Sequence, residues 1–182
     1  MTARDERVVL DGLRYRITTW TAADRDDVLA LILDIQRGEF ALPITDADQP
    51  DLTDVARFYQ AGGGEFWVAR DDGSVVGTIA AINIGSDTVA LRKMFVAQAH
   101  RGGTGLAASL MSTLVEWANG RGVRTIYLGT TAVMSAAHRF YEKHGYEPID
   151  ARELPATFPR MDVDTRFYCK HLDAGPARER AR

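Results

Sequence analysis

Between Leu91 and Ala107 the chain passes from an apolar run, Leu91-Arg92-Lys93-Met94-Phe95-Val96, through Ala97 to His100 into Arg101-Gly102-Gly103-Thr104-Gly105-Leu106-Ala107. A long amphipathic segment follows to Arg121, with Leu106, Leu110, Met111, Leu114 and Trp117 on one stripe. A strand that feeds a short glycine loop and then a helix restricts the fold to a sheet covered by helices. It also marks a place for a ligand. Glycines let backbone N–H groups approach a guest closely, and the first turn of a helix offers unpaired N–H groups and the positive end of its dipole. Arg101 adds a charged donor, so the expected guest is a phosphate or pyrophosphate. Two glycines alone would be read as a tight turn; the strand, the helix start and Arg101 together favour the anion.

The flanking segments predict the rest of the sheet. Tyr15 to Trp20 alternates and reads as a first strand. Thr21 and Asp24 have capping-box spacing and open a helix through Val28, Leu29, Leu31, Ile32 and Ile35, with Gly38 as its stop. Glu39 to Pro50 reads as a loop, and Leu52 to Ala61 as a short helix closed by Gly62-Gly63-Gly64. Glu65 to Arg70 and Val75 to Asn83 flank Asp71-Asp72-Gly73-Ser74, a hairpin signal, and Gly85-Ser86-Asp87 turns the chain into Val89 to Val96. Behind the long helix come a buried strand from Val123 to Gly129, a helix from Met134 to His144, and strands at Tyr146 to Ile149 and about Thr165 to Leu172. The expected fold is a mixed α/β sheet of about seven strands with an antiparallel front half and about four helices. It forms a single domain over 1–172, with a disordered C-terminal tail over 173–182.

Composition narrows the function. With 22 basic and 25 acidic residues there is no positive excess to hold a nucleic-acid backbone. No apolar run reaches the ~20 residues that cross a bilayer. Cys169 is the one cysteine, which rules out an intrachain disulfide and fits a reducing, cytoplasmic setting. The histidines have no acidic partners at metal-ligand spacing, so no metal is expected.

Among nucleotide sites, a P-loop would need a lysine that this loop lacks. Gly103-Thr104-Gly105-Leu106-Ala107-Ala108 fits the dinucleotide pattern, yet no Asp or Glu stands between Glu116 and Glu142 to hold a ribose. Coenzyme A remains. At this loop, with Gly105-Leu106-Ala107 opening the helix, the chain resembles the GNAT superfamily of N-acetyltransferases, although Arg101 lies one residue upstream of the family position. A second stretch strengthens the resemblance: Ala137-His138-Arg139-Phe140-Tyr141-Glu142-Lys143-His144-Gly145-Tyr146 follows the family's late helix motif, with Met134 where the family carries asparagine.

The resemblance implies an N-acetyltransferase that moves an acetyl group from acetyl-CoA directly to a primary amine of a small molecule or peptide. Its donor site would comprise Met94, Phe95, Val96, Arg101, Gly102, Gly103, Thr104, Gly105, Leu106, Ala107, Ala137 and Phe140. The main chain of Met94 to Val96 would hold the pantetheine arm. Tyr141 would face the sulfur and stabilise the departing thiolate by hydrogen bonding first and proton donation second. Glu39, Asp87 and His138 are candidate acceptors of the amine's proton, alongside water relayed by a main-chain carbonyl. Glu39 to Pro50 and Arg152 to Asp162 are the loops that would shape the acceptor pocket. A non-catalytic acyl-CoA sensor or partner-binding domain of the same fold is the alternative, and a homodimer through the last strands is compatible with the sequence.

Overall fold

A computed structural model of the chain describes residues 6–10, 13–85 and 87–172. The expected tail at 173–182 lies outside them. The chain gathers into two compact units, Met1–Asn83 with Leu91–Leu114, and Ile84–Ala90 with Val115–Arg182.

In the first unit, β1 (Glu6–Leu10), β2 (Leu13–Thr19), β3 (Glu65–Asp71), β4 (Ser74–Gly85) and β5 (Thr88–Val96) lie in that order, and β1 to β4 pair antiparallel. The tips of β4 and β5 fall in the second unit. The strand β1 is one more than the sequence pattern predicts. Its signal is the short apolar run Val8-Val9-Leu10, which the charged residues before it obscure. The β3–β4 turn takes the left-handed form that Asp-Gly suits, with φ 45° at Asp72 and 86° at Gly73.

The first helix departs from expectation in an informative way. Thr21 and Asp24 do form the capping box, the Thr21 amide donating to the Asp24 carboxylate at 2.7 Å. After a 3-10 turn the α-helix α1 spans Arg25–Leu33, and it then widens into a π turn at Asp34–Glu39 rather than ending at Gly38. The predicted helix at Leu52 to Ala61 is likewise split. The helix α2 covers only Pro50–Thr53, Asp54 breaks it, and a π turn follows at Ala56–Gln60. Val28, Ile32, Leu52, Val55 and Tyr59 from these segments pack with Trp20 and with Phe66, Val68 and Ala80 of the sheet. Glycine at 77 lets α3 (Leu106–Gly120) lie close on β4, because a Cβ there would meet Leu110 Cδ1 at 3.0 Å and Leu106 Cδ2 at 3.5 Å.

The second unit contains β6 (Thr125–Thr130), α4 (Ser135–Lys143), β7 (Glu147–Ile149) and β8 (Arg166–His171). Strand β8 lies between β6 and β7 and pairs antiparallel with both, placing Leu128 opposite Tyr168 and Pro148 also opposite Tyr168. Ile126, Leu128, Tyr141, Tyr146, Phe167 and Tyr168 are buried. Among the described residues no helix is long and apolar enough to cross a membrane.

Candidate functional site

The glycine loop is braced from several sides within the first unit. At its start, the Ala97 amide donates to the Val76 carbonyl at 2.9 Å, continuing the hold of β5 on β4. His100 lies edge-on to buried Tyr15, with Nδ1 3.1 Å from the Tyr15 hydroxyl and 3.9 Å from the Asp71 carboxylate. The Arg101 Nε donates to the Val96 carbonyl at 2.7 Å, and its two terminal nitrogens grip Glu39 at 2.6 and 2.8 Å. Arg101 is therefore a clamp on the loop as well as a charge beside it. The same pair commits Glu39, one of the three candidates for proton acceptor, to a guanidinium.

Residues Gly102–Thr104 form a 3-10 turn, and Thr104 Oγ1 donates to the His100 carbonyl at 2.6 Å. Gly105 turns left-handed at φ 72°, and the Ser109 amide makes the first long bond of α3, to the Gly105 carbonyl at 3.0 Å. The amides of Leu106, Ala107 and Ala108 precede that bond; Leu106 makes a long contact to Thr104 Oγ1 at 3.4 Å, and those of Ala107 and Ala108 point out of the helix end. Gly102 needs its glycine for φ 76°, but Gly103 does not: its φ is negative, and a Cβ built on it meets nothing within 4 Å. The protein itself gives no reason for a glycine at 103. A guest lying against that backbone would, which is the fit expected for a pyrophosphate.

Just upstream, β5 is interrupted. Lys93 takes a left-handed φ of 51° inside the strand, and its carbonyl accepts from Thr78 Oγ1 at 2.7 Å. The side chain is buried and lies in a polar cluster that sequence reading missed. Lys93 Nζ donates to Gln49 Oε1 and stands 3.2 Å from Asp51. Gln49 in turn donates to Gln36 at 2.6 Å, and Tyr59 donates to Asp51 at 2.5 Å. Arg92 is 3.8 Å from the same carboxylate. Burial first, and the Asp51 charge second, raise the Tyr59 phenol well above its usual range. A signal was present, since two cations stand side by side in an otherwise apolar strand.

In the second unit, His138 and Tyr141 are the buried residues of α4, while Ala137, Phe140 and His144 are half-buried beside them. Tyr141 sits among rings, 5.8 Å from Phe140, 5.8 Å from Tyr146 and 6.0 Å from Tyr168 between centroids. Burial, then the Asp164 charge, then Tyr168 push its phenol far above the usual 10.0, so it is protonated at any working pH. Its hydroxyl makes no hydrogen bond with the described residues. That leaves an O–H to offer. The third acceptor candidate, Asp87, spends its carbonyl on Arg124 and Thr125 and its carboxylate on Thr88. His138 holds Nε2 3.0 Å from the Thr131 carbonyl, the geometry of a donated proton. Met134 begins α4 without a side-chain cap.

The profile of the acetyltransferase (GNAT) family matches residues 29–146. The chain belongs to the GNAT acetyltransferase family. Among solved structures, this GNAT chain is similar to an acetyltransferase of the family from Staphylococcus aureus Mu50. That likeness has 33% identity and a TM-score of 0.84, and it covers 87% of this chain and 99% of the other. Among curated relatives it is 39% identical to the N-acetylaspartate synthetase of Danio rerio, over 61% of this chain and 39% of that one. It is 30% identical to the probable N-acetyltransferase family 8 member 5 of Mus musculus, over 65% of this chain and 55% of that one. The chain thus spans between about two-fifths and just over half the length of these relatives.

Proposed function

We propose that this GNAT protein is an N-acetyltransferase that carries the acetyl group of acetyl-CoA to a primary amine. The observation that carries the reading is the glycine at 103, left-handed nowhere and crowded by nothing, beside the open amino end of α3. In this reading Gly102, Gly103, Thr104, Gly105, Leu106 and Ala107 present their backbone to the donor's pyrophosphate. Arg101, clamped on Val96 and Glu39, keeps the loop in shape. Met94, Phe95 and Val96 offer the strand edge to the pantetheine arm.

Tyr141 supplies an O–H where the thiolate departs. Its raised pKa makes complete proton transfer unfavourable, so its part is to stabilise the sulfur's charge through a hydrogen bond. The amine's proton leaves to water, since Glu39 is held by Arg101; His138, whose Nε2–H donates to the Thr131 carbonyl and so keeps Nδ1 as an acceptor, is the alternative base. The acceptor is a primary amine, and aspartate is the first to try, given the relatives named N-acetylaspartate synthetases.

The test is calorimetric titration with acetyl-CoA, with NAD as control, followed by thiol release over a panel of amines that includes aspartate. Saturable acetyl-CoA binding and amine-dependent thiol release are expected. Binding of NAD in preference, or no binding of acetyl-CoA, would refute the donor assignment.

A further inference from the structure

The buried cluster around Lys93 has no part in the function so far described, and it is placed to have one. Lys93 directly precedes Met94–Val96, the stretch proposed to hold the donor, and it adopts φ 51° there. For a residue with a side chain the left-handed region is unfavourable, and it persists only when the surroundings hold it. Two holds are visible. Thr78 fixes the Lys93 carbonyl, and Asp51 with Gln49 fixes the ammonium. Gln49 and Asp51 flank the first residue of α2, and Gln49 is itself bonded to Gln36 in the π turn.

The far end of the same segment is fastened too. Glu39 closes that π turn and grips Arg101 in the glycine loop. Residues 40–48 therefore form a strap whose two ends are tied to the two proposed donor-binding elements. Along the strap Ile44 is buried, whereas residues 45–48 are exposed. Its backbone is held chiefly by Leu42 to Gln36 at 2.9 Å and by local turns.

We propose that Lys93 is a positioning residue that couples the donor site to the acceptor-side strap: its ammonium, through Asp51 and Gln49, locks the left-handed turn of β5 to the strap's C-terminal end. Donor binding on β5 and the glycine loop then stiffens residues 40–48, and the amine meets an ordered wall only when the donor is in place. The inference rests on the donor reading above. Lys93 itself touches no reacting atom.

The experiment is hydrogen exchange on the full chain, with and without coenzyme A, for the wild type and for Lys93→Met/Asp51→Asn, which removes both buried charges together. In the wild type, coenzyme A slows exchange at 94–96, at the loop amides and also at 40–50. In the double variant the slowing at 94–96 remains while that at 40–50 is lost. The KM for the amine rises about tenfold, within the usual range of coupling between sites, with a smaller change in kcat. A purely structural role would speed exchange at 40–50 in both states and leave the coenzyme A effect intact, and that result overturns the proposal. So does a wild type in which coenzyme A protects 94–96 but not 40–50. Absence of any coenzyme A protection in the wild type refutes the donor reading itself. Should the double variant not fold, Gln49→Leu cuts one tie without stranding a charge; retention of full slowing at 40–50 in it also overturns the coupling.

Discussion

Replacing Gly103 by alanine separates a glycine kept for folding from a glycine kept for a guest. The residue sits in a 3-10 turn with negative φ, and the added methyl meets no atom within 4 Å. Nothing in the folded protein opposes the change, while the unfolded chain loses freedom, so stability should rise by about 0.4–1 kcal/mol. For a chain of this size that is a gain of roughly 1–4 °C in the unfolding midpoint. The neighbouring Gly102→Ala should move the other way by about 1–2 kcal/mol, because φ at 102 is 76°. Donor binding should respond differently. A methyl on the ligand side of 103 keeps an anion from the loop amides, and one charge-assisted hydrogen bond is worth roughly 1.5–3 kcal/mol. Acetyl-CoA affinity should therefore fall by at least about tenfold. Thermal unfolding and calorimetric titration on the same samples give both numbers. A Gly103→Ala protein that binds acetyl-CoA like the wild type would refute the claim that this glycine makes room for the donor. A clear loss of stability would show that the backbone demands the glycine after all.

Other expectations are as direct. Tyr141→Phe should lower kcat by roughly 10²-fold or more, in the range for loss of one charge-stabilising donor, with acetyl-CoA binding unchanged in titration. Alkaline stability follows from the buried phenols. Tyr59, Tyr141 and Tyr146 are all held above the usual 10.0, so the unfolded chain releases these protons first. Stability is then full below about pH 10 and falls as pH rises beyond it, which a series of unfolding midpoints from pH 8 to 11.5 checks. Lys93→Ala and Lys93→Gly both take the ammonium from Asp51 while leaving it Tyr59 and Arg92, and should each cost about 3 kcal/mol or less. The glycine form should nonetheless be the more stable by roughly 1 kcal/mol in denaturant titration, because it relaxes φ 51°. Equal stability of the two would show that the left-handed turn carries no strain.

What could be read from the chain beforehand was whatever depends on neighbours in sequence. The hairpin turn at Asp72-Gly73, the capping box at Thr21 and Asp24, and the strand–loop–helix around Gly105 are local devices, and each is found where its residues predict it. The misses are long-range or arise from competition. Gly38 could not end its helix because the chain widened into a π turn, and the Phe40 amide still reaches the Ile35 carbonyl at 3.3 Å. Asp54, with φ −140°, broke a segment whose apolar spacing looked continuous. Arg101 read as a free donor because nothing nearby in sequence could occupy it. Its partner Glu39 is 62 positions away.

That partner changes how the loop should be understood. An anion site built only from glycine amides would be floppy, and ordering it would consume binding energy. Here the loop is held before any guest arrives. Arg101 closes back on Val96, His100 rests on Tyr15, and Thr104 bonds the His100 carbonyl. The residues that make these bonds are the loop's conventional polar candidates, and their side chains are already engaged. What is left to meet a ligand is main chain, from Gly102 to the first turn of α3. By the same logic, an Arg101 one residue upstream of the family position leaves the proposed donor loop intact. Recognition by backbone tolerates side-chain drift as long as the braces that shape the backbone persist, and in this chain they do.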